Sequence, residues 1–333
     1  MTAEHLKLTA YFGERLRSGH RFTVDALLDL LAADDMATSV VLRGIAGFGP
    51  RHRLRTDVSL SLSEDPPVTV IAVDLAEHIE RIAPQVVNLV DRGLVTIEEA
   101  WSPEEPPEHP SIQLTVALSG GDHVAVVDVL RTHGFAAATA YRGVDGTVGG
   151  ARRRAGFFSR NVAVPTVVLA VGPASGARPA ATDIRGLPGV ELVTVDAAQV
   201  CKVGGRQLAR PERAWPRQRL MVHTASADLH DGLPVHRALV RALLDVQPTA
   251  GVTVLHGVWG YQGDREPHAD RMFQFGRRAP VTTVMIDTAE RIAAAFDVVG
   301  ELTGDAGVVS VGPVPAAVSI DDGERRGTLR YDG

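Results

Sequence analysis

The sequence has 333 residues, of which 45% are hydrophobic and 22% charged, and its formal net charge is -6. This length predicts two or three compact folded units, and the acidic balance excludes a general nucleic-acid binder. The single cysteine excludes an intrachain disulfide, and no apolar stretch approaches the roughly 20 residues of a membrane helix. With no visible secretory signal, we expect a cytoplasmic protein.

The first hundred residues predict strands and helices in the order βαββαβ. Apolar residues alternate in the predicted strands and recur every three to four residues in the predicted helices. The elements are a strand at residues 6–12, a helix at 24–31, a strand ending in a glycine-rich motif at 43–49, a strand from Pro67, a helix at 76–90 and a strand at 94–97. Asp74, with Glu77 three residues later, is the expected cap of the second helix.

The middle of the chain predicts the same order with one change. The elements are a strand at residues 112–118, a helix at 124–130, a glycine-rich motif at 142–149, a strand from Pro165 and a strand at 191–195. Residues 172–179, where the second helix is expected, contain two glycines and two prolines. We therefore expect that helix to be short or lost.

The last third of the chain predicts the full set of elements again. They are a strand at residues 219–224, a helix at 235–244, a glycine-rich motif at 256–263, a strand from Pro280, a helix at 288–302 and a strand at 308–311. Asp287 and Glu290 repeat the spacing of the first expected cap. Residues 102–110 and 204–216 are the expected joints, and the polar tail after Ile320 is expected to fray.

Three glycine-rich motifs repeat at a fixed distance from a proline. The motifs read RGIAGFG at 43–49, RGVDGTVG at 142–149 and HGVWGYQG at 256–263, and Pro67, Pro165 and Pro280 follow their first residues by 24, 23 and 24 residues. Two features at one spacing indicate three copies of one unit, and the βαββαβ order is the ferredoxin-like arrangement. We predict an α+β protein with modules at 1–101, 111–203 and 216–318 and a polar tail at 319–333.

The first copy carries a family resemblance. LKLTAYFGE at 6–14, VLRGIAGFG at 41–49 and LSEDPPV at 62–68 resemble the domain-of-unknown-function 190 family, which is PII-like. The third copy resembles that family more loosely, and the second does so mainly through the repeat. PII-type proteins are trimers of a ferredoxin-like subunit that bind adenine nucleotides between subunits and dock on transporters or enzymes through a long loop. The resemblance therefore implies a monomeric, intramolecular pseudo-trimer.

The motifs and the loops that follow them form the candidate ligand site. Glycine lets backbone amides approach an anion, a guanidinium can bind two phosphate oxygens, and 13 of the 34 Lys and Arg residues lie in these regions. From the residues alone, the alternative is that the glycines form turns and the arginines solvate mobile loops. The candidate ligand-binding residues are Arg43, Gly44, Gly47, Phe48, Gly49, Arg51, Arg53, Arg142, Gly143, Gly146, His256, Gly257, Gly260 and Tyr261.

Several residues allow two interpretations. Phe48 and Tyr261 either stack on an adenine or pin the loop to the core, and we favour the core. His256 replaces the arginine of the other motifs, and either introduces pH dependence or marks a relaxed site, which we favour. Residues 119–122 resemble a phosphate-binding turn but lack the P-loop lysine, so a capped helix start explains them. The histidines show no metal spacing, and no metal is expected.

The function predicted from these features is that of a non-enzymatic sensor without a cofactor. A small anionic effector, an adenine nucleotide above all, would order the arginine-rich loops, which would then dock on a membrane transporter or an enzyme. Two alternatives stay open. One is an enzyme that acts on a small phosphorylated or carboxylated metabolite in the same cleft, and the other is a scaffold protein without a ligand.

Overall fold

The structure is a computed structural model with side chains. It describes residues 3–49, 51, 54–56, 65–154, 164–245, 251–269 and 278–331. Arg53 and the loop arginines Arg160, Arg271 and Arg277 lie outside the described residues.

The first copy folds into an antiparallel sheet with helices on one face. Its elements are β1 (His5–Gly13), β2 (Arg17–Ser18), β3 (Arg21–Phe22), α1 (Thr23–Ala33), β4 (Thr38–Phe48), β5 (Arg55–Thr56), β6 (Pro67–Leu75), α2 (Ala76–Leu89) and β7 (Arg92–Ala100). The long strands pair in the order β4-β6-β1-β7. Leucines of α1 and isoleucines of α2 pack on β1 and β6, and they form the core of this copy.

The second copy repeats this arrangement with a shorter second helix. Its elements are β8 (Ser111–Ser119), α3 (His123–Thr132), β9 (Ala137–Arg142), β10 (Asp145–Val148), β11 (Ala151–Arg154), β12 (Pro165–Pro173), a 3-10 turn (Ala174–Gly176), α4 (Ala177–Arg185), β13 (Val190–Ala197), β14 (Gln199–Val203) and β15 (Arg206–Gln207). The strand order is β9-β12-β8-β13. The second helix is thus retained with 9 residues, because three alanines and Ile184 bury one face of it.

The third copy has the same strand order and ends in a hairpin. Its elements are β16 (Arg217–Ala225), β17 (Leu229–His230), β18 (Leu233–Pro234), α5 (Val235–Asp245), β19 (Val252–His256), β20 (Trp259–Gln262), β21 (His268–Ala269), β22 (Pro280–Thr288), α6 (Ala289–Thr303), β23 (Val308–Pro313), β24 (Ala316–Asp321) and β25 (Glu324–Thr328). The long strands pair in the order β19-β22-β16-β23.

Two expectations about the chain were wrong. The polar tail is not frayed, because β24 and β25 form a hairpin whose first strand pairs with the edge of β7. Asp74 and Asp287 do not cap helices, since both still pair within strands and the helices begin two residues later, with Leu75 and Thr288 at the cap positions. The Asp74 carboxylate instead accepts the N–H of Ala37, 2.8 Å away, and so connects β6 to the start of β4.

Strand pairing between the copies runs in one cyclic direction. The motif strand β10 of the second copy pairs with β4 of the first, and β20 of the third pairs with β9 of the second. The end of β4 in turn pairs with β19 of the third copy. Each copy therefore contributes its motif to the second strand of another copy, and the three contacts close on themselves.

The sheet faces that are not covered by helices share one core. This core takes residues from all three copies, and each copy also keeps its own core between sheet and helices. The shared core contains Val40, Leu42, Ile71, Val73, Leu94, Tyr141, Val167, Leu169, Met221, Leu255, Val284 and Ile286. Each sheet is therefore buried on both faces, which explains its continuous apolar strands.

A buried charged cluster links the first strands of the copies. Lys7, Gln113 and Arg219 occupy one repeat position, since each lies two residues into its strand. The Lys7 ammonium lies 3.2 Å from the Asp196 carboxylate and 3.4 Å from that of Glu98. The Arg219 guanidinium contacts both carboxylates and donates to the Gln113 amide oxygen at 3.1 Å. Two cations and two anions thus meet where the copies converge.

Across the residues described above, no helix is both long and apolar enough to cross a membrane.

Candidate functional site

The second glycine of each motif lies where two backbones of different copies come closest. Gly47, Gly146 and Gly260 each pair with a residue of another copy's second strand. A Cβ atom at these positions would lie 2.3, 2.1 and 2.3 Å from a backbone carbonyl oxygen of that strand. The backbone at these glycines is therefore used for strand pairing between copies.

The first glycine of each motif contacts the repeated proline. A Cβ atom at Gly44 would lie 2.7 Å from the ring of Pro67, and one at Gly257 would lie 2.8 Å from that of Pro280. In the second copy, the Gly143 N–H donates to the Pro165 carbonyl at 2.9 Å. The fixed spacing between each motif and its proline thus has a physical cause, because the first glycine of the motif contacts that proline. At Gly49, by contrast, a Cβ atom would meet nothing within 4 Å.

The aromatic residues of the motifs fill the core of a neighbouring copy. Phe48 of the first copy packs in the core of the third, and Tyr261 of the third packs in the core of the second. They are 4% and 1% exposed. The Tyr261 hydroxyl donates to the Phe135 carbonyl at 3.0 Å, and burial raises the pKa of this phenol. Both rings therefore have the core role, and neither presents a face to a ligand.

The first residues of the motifs lie at strand ends and differ in their surroundings. The Arg43 guanidinium is 57% exposed and forms an ion pair with Glu14. Arg142 is exposed and makes no ion pair with any carboxylate that the structure describes. His256 is half-buried. The three equivalent positions therefore offer one neutralised cation, one available cation and one imidazole.

Histidines lie close to two of these strand ends. Burial and the charge of Arg142 lower the pKa of His123, the first residue of α3. Burial and the nearby Arg237 and His256 lower the pKa of His236, near the start of α5, to about 4. Both imidazoles are therefore held toward the neutral form at neutral pH. Neither histidine was predicted as a site residue from the sequence, because its position near a strand end depends on the fold.

The turn before α3 is a capped helix start, as the sequence indicates. The Asp122 carboxylate accepts the N–H groups of Val124 and Ala125 at 3.0 and 3.1 Å. This arrangement satisfies two donors of the first helical turn. The turn therefore contributes a negative charge beside Arg142 and His123, and no phosphate role is needed to explain it.

The described loop arginines are largely engaged in ion pairs. Arg152 reaches from the second copy to α1 of the first, where it contacts Asp25 at 3.0 Å and Asp29, and it also contacts Asp145 at 2.7 Å. These carboxylates raise the pKa of Arg152. Such bidentate contacts favour arginine over lysine. Arg152 therefore fastens one copy to the next.

Other loop arginines have similar roles within the described chain. Arg51 contacts Asp321 at 3.1 Å and Asp322 in the turn between β24 and β25. Arg55 contacts Asp65 at 2.9 Å, and Arg265 contacts Asp228. The ion pairs hold the ends of the loops in place. Arginine enrichment in the sequence thus reflects loop anchoring at these positions.

A shallow cavity of about 330 Å³ opens in the third copy. It lies between residues 227–230, Arg265 and the end of α6 at residues 302–306. Among the described residues, no group of three or more His, Cys, Asp or Glu side chains could hold a metal ion. Burial raises the pKa of the Cys201 thiol to about 12, so this cysteine is a core residue of low reactivity.

Three stretches of the chain, residues 5–101, 122–200 and 217–316, match the model of DUF190, an uncharacterised ACR family. The chain belongs to the DUF190 family. The matched stretches coincide with the three copies, so each copy is a DUF190 unit. UPF0166 protein MJ1524 of Methanocaldococcus jannaschii is 28% identical over 89 residues, which are 25% of this chain and 82% of that protein.

Solved structures with some likeness to this DUF190 chain have low scores. An anthrone oxidase-like protein has a TM-score of 0.19 and 11% identity, and covers 58% of this chain and 90% of its own. The chlorite dismutase of Candidatus Nitrospira defluvii has a TM-score of 0.18 and 10% identity, and covers 62% and 92%. Similarities at this level carry no argument about fold or function.

Proposed function

We propose that this DUF190 chain is a PII-like regulatory protein without enzymatic activity. Its copies would be ferredoxin-like modules that form an intramolecular pseudo-trimer. A small anionic effector, most simply an adenine nucleotide, would bind at a junction between modules and change the order of the arginine-rich loops. Those loops would then engage a transporter or an enzyme.

The cyclic pairing of the copies is the observation that carries this proposal. Each copy has the antiparallel strand order of a βαββαβ unit, and each motif pairs with another copy. The shared core draws on all three copies. An arrangement of three copies that closes on itself supports the proposal, because a PII-like trimer would have three such junctions.

Arg142 is the strongest candidate for an effector contact. Its exposed guanidinium has no described carboxylate partner, whereas an anion at Arg43 would have to compete with Glu14. A guanidinium is suited to bidentate contact with phosphate. We therefore place the preferred effector position in the second copy. The sequence could not separate Arg142 from Arg43, because the ion pair of Arg43 with Glu14 is not visible there.

Thermal unfolding with ATP, ADP, AMP and inorganic triphosphate tests this function. A ligand at a hundred times its dissociation constant should add about 2.7 kcal/mol to the free energy of unfolding. We expect Arg142→Gln to abolish the shift. The matched control, Arg326→Gln, changes an arginine that is 83% exposed and should keep it. The nucleotide proposal is contradicted if no nucleotide stabilises the protein, or if both variants respond like the parent chain.

Amide hydrogen exchange separately tests the regulatory part of the proposal, in which the effector changes the order of the loops. A ligand can act as a switch only if it binds the ordered and disordered loop states with different affinity. We expect the effector to slow exchange in residues 149–164. Binding that leaves the exchange of all three loops unchanged would contradict a loop-based signal, even where the thermal shift is present.

A further inference from the structure

The last strands of the three copies are covered unequally. The outer edge of β7 pairs with β24, and that of β23 pairs with β14. The outer edge of β13 has one partner among the described residues, Trp101, which bridges to Val195. The β13 edge at residues 190–193 is therefore an open strand slot, and the two equivalent slots are filled.

The open slot begins at the same register as the filled ones. Ala316 pairs with Ile97 and Gln199 with Val311, at the repeat position where Trp101 pairs with Val195. Trp101 exchanges both backbone hydrogen bonds with Val195, at 2.7 and 2.9 Å. In the filled slots the incoming strand continues for several residues. After Trp101 the chain departs, because prolines follow at positions 103, 106 and 107 and lack the N–H that a ladder needs.

Apolar side chains beside the slot are more exposed than their equivalents. Leu192 is half-buried, whereas Leu94 and Val308 at the same repeat position are 7% and 0% exposed. Leu187 and Val190 are also half-buried. Because Val195 directs its N–H and C=O outward to Trp101, Val193, two residues earlier, directs its own backbone groups outward as well. The slot thus combines unpaired backbone groups with apolar surface.

We propose that this slot is a docking site for an extended segment of a partner protein, which adds to β13 as an antiparallel strand. This inference is independent of the proposed effector and its loops. Strand addition to an exposed edge gains affinity from backbone hydrogen bonds and selectivity from alternate side chains. The two equivalent slots show that the fold accepts such a strand at this place.

The filled slot on β23 indicates the chemistry of the partner segment. There β14 brings apolar residues and Lys202, whose ammonium donates to Thr303 Oγ1 at 2.7 Å, to the Gly304 carbonyl at 2.6 Å and to the Ala306 carbonyl at 3.3 Å. This lysine satisfies the end of α6. The helix α4 ends beside β13 in the same way, and a helix C-terminus attracts a cation. We therefore expect an apolar segment with one basic residue.

A second copy of this chain suits the slot less well. Two-fold antiparallel pairing of β13 with itself over residues 190–193 would set Glu191 opposite Leu192 of the other copy, and this segment supplies no basic residue for the end of α4. A partner segment with a basic residue would supply that positive charge. The charge of this edge therefore favours a separate, basic occupant.

A labelled peptide with the sequence of residues 199–207, carrying Cys201→Ser, is a suitable probe for the full chain. We expect it to bind in fluorescence anisotropy and to slow amide exchange of Val193 at least tenfold, with no change at Val309 in the occupied slot. In the free chain Val193 should exchange at least a hundredfold faster than Val95 and Val309. A peptide with Lys202→Leu should bind several-fold more weakly.

Two controls separate strand addition from charge attraction and misfolding. The same peptide, N-methylated at alternate pairing amides, keeps its charge and should bind at least tenfold more weakly. Leu192→Arg should weaken binding equally, whereas Val144→Arg, at an exposed apolar residue elsewhere, should not. Equal binding of the methylated peptide, or protection at Val309 instead of Val193, would overturn the proposal. Concentration-dependent dimers with Val193 protected in the absence of peptide would assign the slot to a second copy.

Discussion

His223 is the residue whose burial has the clearest measurable consequence. It is 3% exposed, on β16. Its Nδ1 lies 3.3 Å from the Thr282 hydroxyl, which in turn accepts the hydroxyl of Tyr141, a residue of the second copy. Its Nε2 has no hydrogen-bond partner within the described structure. Burial, and then the charge of Arg219, lower the pKa of His223 to about 4.

We predict that His223 makes the folded protein less stable in acid. Its pKa in the unfolded chain is about 6.5, so its stabilising contribution is complete above that pH and is lost as the pH falls toward 4. Between pH 7 and 4.5 the loss should be about 2–3 kcal/mol. His223→Gln should remove this part of the pH dependence in urea unfolding measured at both values, while His20→Gln, at an exposed histidine, should not. Equal slopes for the parent chain and His223→Gln would show that the imidazole is protonated in the fold.

The strand that carries the first motif illustrates how one element depends on another copy. The end of β4 pairs with β19, and its Gly47 leaves no room for a side chain. We predict that Gly47→Ala lowers the free energy of unfolding by about 1–3 kcal/mol, because a backbone carbonyl cannot move aside as a flexible side chain can. Gly49→Ala, two residues away and in open space, should change it by less than about 0.5 kcal/mol. Urea unfolding of both variants measures the difference. If Gly49→Ala is the more damaging change, the motif is not held by strand pairing.

The order of elements could be predicted from the sequence, whereas their contacts could not. Alternating and helical apolar patterns are local, so the βαββαβ order and the short α4 were visible in them. Position 47 requires glycine because the carbonyl of residue 252 leaves no room for a side chain. No local sequence pattern reveals such a distant partner. Asp74 failed as a cap for a similar reason, because its carboxylate serves Ala37 across the sheet. The aromatic residues of the motifs were correctly assigned to a core, but that core belongs to another copy.

At the scale of the whole molecule, the copies have diverged at the position where their first strands converge. At one position of the first strand they carry Lys7, Gln113 and Arg219, and the facing carboxylates Glu98 and Asp196 come from the first and second copies. Three identical third copies would bury three arginines, and Gly312 stands where the carboxylate is needed. Charges buried in this way must be balanced, because uncompensated ones cost several kcal/mol. The mixed set reaches this balance, with two cations facing two carboxylates.

Arg219→Met tests this balance. Removing one member of a buried ion pair leaves the other uncompensated, so the variant should lose about 3–5 kcal/mol of unfolding free energy, whereas Arg326→Met on the exposed hairpin should lose almost nothing. Adding Glu98→Gln to Arg219→Met leaves Lys7 opposite Asp196 and should recover part of the loss. Recovery would identify charge balance as the cause, because simple loss of packing would make the double variant worse than the single one. If Arg219→Met left the free energy of unfolding unchanged, the cluster would add nothing to the stability of the mixed assembly.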